Sequence, residues 1–288
     1  MSRTRAAAAL ACALAVAAAW PSDAAGQEWR TINARRQLAG EDELRVELDY
    51  TVGRVRIAPG EAGSLYRASI RYDAELFDPI HAYSDRHLRI GVSDLRRVRT
   101  SRRDRFGDLE LALGPEVPVH LEVMLGAAEA ELELGGLRLT RVEVSGGASD
   151  SRVRFSEPNR ARMDRLVLKT GATRMHVFGL GNANAEQVEI DGGVGELVVD
   201  FTGELREAMT VDVNLGIGSL LLQLPRGLGV EVVRTASFLM PFDSEGLIKR
   251  GDAFYSENWE QAAHRLTIRI NGAIGSVRVR WLEENKVS

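Results

Sequence analysis

The chain has 288 residues, 44% hydrophobic but only 6% aromatic, with 28 glycines, 8 prolines, one cysteine and a formal net charge of −4. A charged share of 27% beside a normal apolar share excludes a disordered or collagen-like chain. The slight acidity excludes a global attraction for nucleic acid, so no nucleic-acid partner is expected.

The first segment carries Arg3 and Arg5, then an alanine-rich apolar run from Ala6 to Trp20, then small residues through Gly26. This is the pattern of a cleaved secretory signal peptide over residues 1–26, with Ala24 and Gly26 at the −3 and −1 positions and Gln27 as the first mature residue. Cleavage after Ala24 is the alternative. Cys12 lies inside the apolar run, so the mature chain has no thiol; a lipoprotein role for Cys12 would leave only Ala6 to Ala11 as the apolar segment before it. Loss of Arg3, Arg5 and Asp23 takes the net charge to −5. No later stretch has the roughly 18 uninterrupted apolar residues of a membrane span. A periplasmic or secreted protein is expected.

Residues 27–117 read as an irregular N-terminal β region. Leu44, Val46, Leu48, Val52, Val55 and Ile57 alternate around a turn at Gly53, as an entry rung would, and short strands follow at 66–72, 88–92 and 109–113. Between the last two lies a basic run with Arg96, Arg97, Arg99, Arg102, Arg103 and Arg105. Such a run is either a solvated hairpin tip or a contact for an anionic envelope polymer, a lipid headgroup or an acidic protein surface.

Residues 118–225 hold an internal repeat. Alternating apolar positions, a glycine turn and a second alternating run recur with turns at Gly126, Gly147, Gly171, Gly193 and Gly216, spaced 21 to 24 residues apart. That spacing is one rung of a β-solenoid made of two or three short strands. Side chains alternate between faces along a strand, so offsets −5 and −3 before each turn and +4, +6 and +8 after it should point inward. They hold sets such as Leu121, Val123, Ala130, Leu132 and Leu134, or Val188, Ile190, Leu197, Val199 and Phe201. A last copy, residues 268–279, turns near Gly272 and Ala273, with Val277, Val279 and Trp281 inward. The turn glycines are expected to supply positive φ. Phosphate binding by these glycines is disfavoured, because each turn opens a strand rather than a helix.

Residues 226–288 form an excursion, the last rung and a tail. Phe238, Met240, Phe242 and Trp259 concentrate bulky side chains there, as a cap over the open solenoid end or as a partner surface.

The stretch Pro118-Val119-His120-Leu121-Glu122-Val123-Met124-Leu125-Gly126, continuing through Leu132-Glu133-Leu134-Gly135-Gly136-Leu137 to Val142-Glu143-Val144-Ser145-Gly146-Gly147-Ala148, resembles the toast-rack β-solenoid domain. The pieces Val213-Asn214-Leu215-Gly216-Ile217-Gly218 and Ile270-Asn271-Gly272-Ala273-Ile274-Gly275-Ser276-Val277 are similar to the LiaF-like domain of bacterial cell-wall stress response proteins. The resemblance implies a non-enzymatic module of envelope-stress regulation, in which LiaF-like proteins restrain a membrane sensor kinase. Those proteins usually carry transmembrane helices, whereas a cleavable signal stands alone here.

The residues themselves point away from catalysis. Asp150, Asp191, Glu196, Asp200 and Asp212 fall at different offsets rather than as a paired acid and base or a calcium cage. His81, His87, His120, His176 and His264 show no metal-ligand spacing, and Trp29, Trp259 and Trp281 are more simply packing than sugar platforms. The expectation is an all-β, single-stranded β-solenoid of about six or more rungs, without cofactor or metal, that binds a protein or an anionic envelope polymer in envelope stress response or homeostasis. Carbohydrate binding or processing by a β-helix is the alternative.

Overall fold

A computed structural model describes residues 28–94, 107–235 and 239–283. The signal segment, the arginine run and Phe238 lie outside the described residues. The N-terminal part contributes β1 (Trp29–Gln37), β2 (Leu44–Pro59), β3 (Ser64–Asp73), β4 (Phe77–Ser84), β5 (His87–Asp94) and β6 (Gly107–Leu113). The repeat contributes β7 (Val119–Glu133), β8 (Leu139–Arg154), β9 (Met163–Phe178), β10 (Ala185–Asp200) and β11 (Met209–Pro225). After it come β12 (Gly229–Arg234), β13 (Phe242–Asp243), β14 (Ile248–Arg250), β15 (Ala253–Tyr255) and β16 (Arg265–Leu282).

The expected all-β solenoid is present. Strands β2, β7, β8, β9, β10, β11 and β16 stack in that order, each parallel to the next. Each rung is one strand of 15 to 18 residues rather than two or three short ones. A straight strand of that length would span about 50 Å at roughly 3.3 Å per residue. The links from β7 to β8 and onward to β11 hold only 5 to 8 residues, a reach below about 32 Å. Every rung must therefore bend back in its middle, and it does so at the glycine line. The links close with side-chain amides: Asn159, fully buried, bonds the Leu139 N–H, the Leu139 carbonyl and the Ala161 carbonyl.

The register matches the alternation in the sequence. Leu132, Val153, Val177, Val199, Leu222 and Val279 stand on successive rungs, and all are buried. Of the expected inward residues, Trp281 is half-exposed, with its indole Nε1 donating to the Glu245 carbonyl at 2.8 Å, and Val52 of the entry rung is partly exposed at the bend opposite Ala127. The outer column Glu129, Asp150, Arg174, Glu196 and Ser219 also forms as spaced. Arg174 lies 4.0 Å from Asp150 and 3.5 Å from Glu196, exposed pairs worth at most about 1 kcal/mol each. Glu133 reaches Arg154 at 3.9 Å, whereas Arg152 turns to Asp150 and Glu131 to Arg56.

The glycine expectation needs correction in its cause. Gly126, Gly147, Gly171, Gly193 and Gly216 do not have positive φ. They are small because each lies under the carbonyl of the previous rung: a Cβ on Gly216 would meet the Gly193 oxygen at 2.5 Å, and one on Gly171 the Gly147 oxygen at 2.7 Å. Positive φ falls two residues later, at Gly53 (130°), Gly195 (145°), Gly218 (150°) and Gly275 (146°). In the entry rung the turn-line residue is accordingly Thr51, not Gly53.

Both ends of the stack are finished by split rungs. β5 pairs with the first half of β2 and β6 with its second half, and β3, with β1 beyond it, extends the sheet antiparallel. At the other end β12 covers the first half of β16 and β13 part of its second half. Strands β1 and β4 have no counterpart in the sequence reading.

Candidate functional site

The inward phase is odd before the turn and even after it, so two consecutive residues at every bend face outward. The first is the turn-line residue, glycine in β7 to β11. The second forms a ladder along the outside of the bend: Ala127, Ala148, Ala172, Val194, Ile217 and Ile274, with Ala172, Val194, Ile217 and Ile274 in direct register. Val194 is 52% exposed, Ile217 49% and Ile274 47%, and Leu239, whose carbonyl accepts from the Gly275 N–H at 3.1 Å, is 53% exposed at the end of the row. These are four of the five large hydrophobic residues that are exposed among the described residues. Three bulky aliphatics one strand spacing apart form a continuous apolar ridge rather than scattered surface residues.

Beside the ridge, the missing side chains at the turn line leave a trough of about 890 Å³ running along the stack. Its outer wall is the column Met124, Ser145, Lys169, Asp191, Asn214 and Asn271. Asn214 donates to Asp191 at 2.7 Å, and Lys169 lies 3.5 Å from Glu189. The hydrogen bond from Arg165 holds the Glu189 carboxyl below its ordinary range. Charge thins where the ridge is bulkiest: Ile217 and Ile274 are flanked by Asn214, Asn271, Ser219 and Ser276. An aliphatic centre with an uncharged polar margin suits a macromolecular contact.

Of the expected site residues, Met240, Phe242 and Trp259 are among the described residues. The segment holding Arg96, Arg97, Arg99, Arg102, Arg103 and Arg105 joins β5 to β6, outside the described residues. Met240 is 4% exposed, with its sulfur against Gly272 at the end of the trough. Phe242 is half-buried and meets the Phe254 ring edge-on at 4.8 Å, and Trp259 stacks at a tilt on Tyr255 at 5.5 Å with Arg265 over its ring. Trp29 lies under the Arg71 guanidinium, 4.0 Å from the ring centre.

The acids are dispersed: Asp150 and Glu196 flank Arg174, Asp191 lines the trough, Asp200 bonds Thr202 and Asp212 faces Arg269. His81 shares a hydrogen bond with Tyr66, His87 lies beside Glu47, and His176 packs edge-on against Phe178. Burial, with Arg45 and Arg141 nearby, lowers the His120 pKa and favours the neutral ring. Among the described residues no three His, Cys, Asp or Glu form a metal-holding group, and no helix is long and apolar enough to cross a membrane.

The ridge lies outside the alternating offsets +4 to +8 that carry the core. Its signal was present as a bulky aliphatic directly after the turn residue in three consecutive rungs.

The model of the family described as the N-terminal domain of toast_rack, DUF2154, matches residues 23–178, more than half of the chain. No curated protein matches. Among solved structures, the chain is similar to a "putative cell adhesion protein" from Clostridium sporogenes at 13% identity and TM-score 0.45, covering 88% of this chain and 100% of that one. It is also similar to a "putative adhesin" from Bacteroides fragilis at 13% identity and TM-score 0.37, covering 87% and 97%. A "putative lipid binding protein" from Parabacteroides distasonis matches at 8% identity and TM-score 0.29, covering 88% and 97%.

Proposed function

Because the chain belongs to the toast-rack family, we propose that it is a non-enzymatic binding or scaffold module of the cell envelope, periplasmic or secreted, serving envelope stress response or homeostasis. The observation that carries this reading is the exposed aliphatic ridge Val194, Ile217 and Ile274 beside a trough open along the stack. A surface of this kind gains by covering apolar area, whereas acid–base chemistry needs titratable groups brought together around one substrate position.

The triple variant Val194→Ser, Ile217→Ser, Ile274→Ser is expected to keep its melting temperature and to lose binding to envelope protein fractions by about tenfold or more, given about 25 cal/mol for each Å² of apolar surface covered. Equal retention of the two proteins on the same fractions would sink the reading. The carboxamide and carboxylate column Asp191, Asn214 and Asn271 favours a second reading, binding of a linear carbohydrate along the trough. That reading expects Asn214→Ala with Asn271→Ala to abolish retention on envelope polysaccharide while the serine triple variant retains it.

A further inference from the structure

The outer face of β1, β3, β6 and β2 is a lattice of alternating charge. Arg71 lies 3.2 Å from Asp108, Asp108 lies 3.5 Å from Arg54, and Arg54 lies 3.6 Å from Glu129. One row over, Arg56 stands between Glu110 at 3.0 Å and Glu131 at 3.3 Å. Where β1 pairs with β3, β3 with β6 and β6 with β2, one position sets like charges together: Arg35 of β1 stands directly opposite Arg67 of β3. Like charges so placed repel.

Arg67 turns toward Glu61, a carboxylate with 80% of its side chain exposed, and the Arg35 side chain, on the paired strand, has no hydrogen-bond or ion-pair partner among the described residues. The next residues across the row are Ala112 of β6 and Ala58 of β2, too short to fill the space. What remains is a concavity of about 670 Å³ bordered by Arg35, Arg67, Arg56, Asn33, Ser69 and Glu110. Edge strands are commonly protected by charge, and that accounts for Arg30 and Arg36, each of which has a carboxylate partner in Glu28 and Glu41. It does not account for a second arginine set against the first.

We propose that this concavity is a binding site for a phosphate group, held between the Arg35 and Arg67 guanidinium groups with the Asn33 amide and Ser69 hydroxyl as further donors. A guanidinium presents paired N–H groups that match two phosphate oxygens, and a tetrahedral dianion has oxygens enough for two such forks. Bound there, it replaces a repulsion with two attractions. Glu110 on the rim is offset by Arg56, 3.0 Å away. The site lies away from the ridge and stands independently of the ridge's occupant.

The phosphate could belong to a lipid headgroup or to a soluble or polymeric phosphate, and two arms separate these sources. Thermal unfolding of the full chain is followed in inorganic phosphate and in chloride at matched ionic strength. Sedimentation is then measured with phosphatidylglycerol vesicles against phosphatidylcholine vesicles. Phosphate is expected to raise the melting temperature of the wild type above the chloride value, and Arg35→Gln with Arg67→Gln is expected to weaken the apparent affinity at least about tenfold. Arg67→Gln alone, which leaves Arg35 without repulsion, is expected to weaken binding while raising stability in chloride. Arginine-dependent sedimentation with phosphatidylglycerol assigns the lipid source, and a phosphate response without it assigns the soluble or polymeric source. Identical melting in phosphate and chloride, or a full phosphate response in the double variant, would overturn the proposal.

Discussion

Gly218→Val is expected to destabilise the protein by more than about 4 kcal/mol, a large part of the stability of a typical fold. Two independent costs meet at this residue. Its φ of 150° is one that side-chain-bearing residues rarely adopt, which alone costs about 1–3 kcal/mol. A Cβ there would also fall well inside contact distance of the Gly195 carbonyl oxygen on the rung beneath, with the Gly195 carbonyl carbon at 2.8 Å. The obstacle is backbone held in the parallel ladder of β10 and β11, so it cannot swing aside as a side chain would. Gly147→Ala is the matched control: its Cβ would meet the Gly126 oxygen at 3.2 Å without positive φ, and a cost of about 1 kcal/mol or less is expected. Urea unfolding of the two variants checks the ordering. Equal losses would mean that stacking distance and φ are not what select glycine along the bend.

Phe155→Ala is expected to cost about 3–5 kcal/mol. Phe155 is fully buried at the second corner of its rung, where its N–H donates to the Phe178 carbonyl at 2.9 Å. The rungs on either side are fixed by main-chain hydrogen bonds along β8 and β9. Collapse around the missing ring is therefore limited, and the cavity term adds to the lost transfer energy. The expected signature is a lower urea midpoint with an unchanged m value. A loss below about 1 kcal/mol would show that this corner is loosely packed.

The core was legible in the sequence because a solenoid repeats one pattern. Val153, Val177, Val199 and Leu222 occupy the same offset in successive copies, and a slip of one residue would turn all of them outward. The ends were less legible. β1 is an edge strand with only Trp29, Ile32 and Ala34 half-buried, so its alternation is faint. β5 and β6 share one rung level although residues 95–106 separate them in sequence, and no periodicity connects the two halves. The glycines were found for an incomplete reason. Their spacing shows a turn, but only the stacked backbones show which of them avoids a collision and which supplies positive φ. The ridge was hidden by the same alternation that revealed the core, since Val194, Ile217 and Ile274 lie at the change of phase. The Arg35 and Arg67 pairing was not legible because it depends on the register of β1 against β3.

The central claim is the rung-on-rung register, and a pair of engineered cysteines tests it most directly. With Cys12, the one native cysteine, replaced by alanine, Glu196→Cys with Ser219→Cys places two thiols on partner residues of β10 and β11. Parallel neighbours lie about 4.8 Å apart, within the roughly 4.4–6.8 Å that a disulfide spans between Cα atoms. Glu196→Cys with Gln223→Cys shifts the second thiol four residues along β11, about 13 Å away. Mild oxidation followed by thiol counting and intact mass measurement should show the first pair closed within one chain and the second still free. Closure of the shifted pair, or equal behaviour of the two, would contradict the stacked register on which the solenoid, the ridge and the trough all depend.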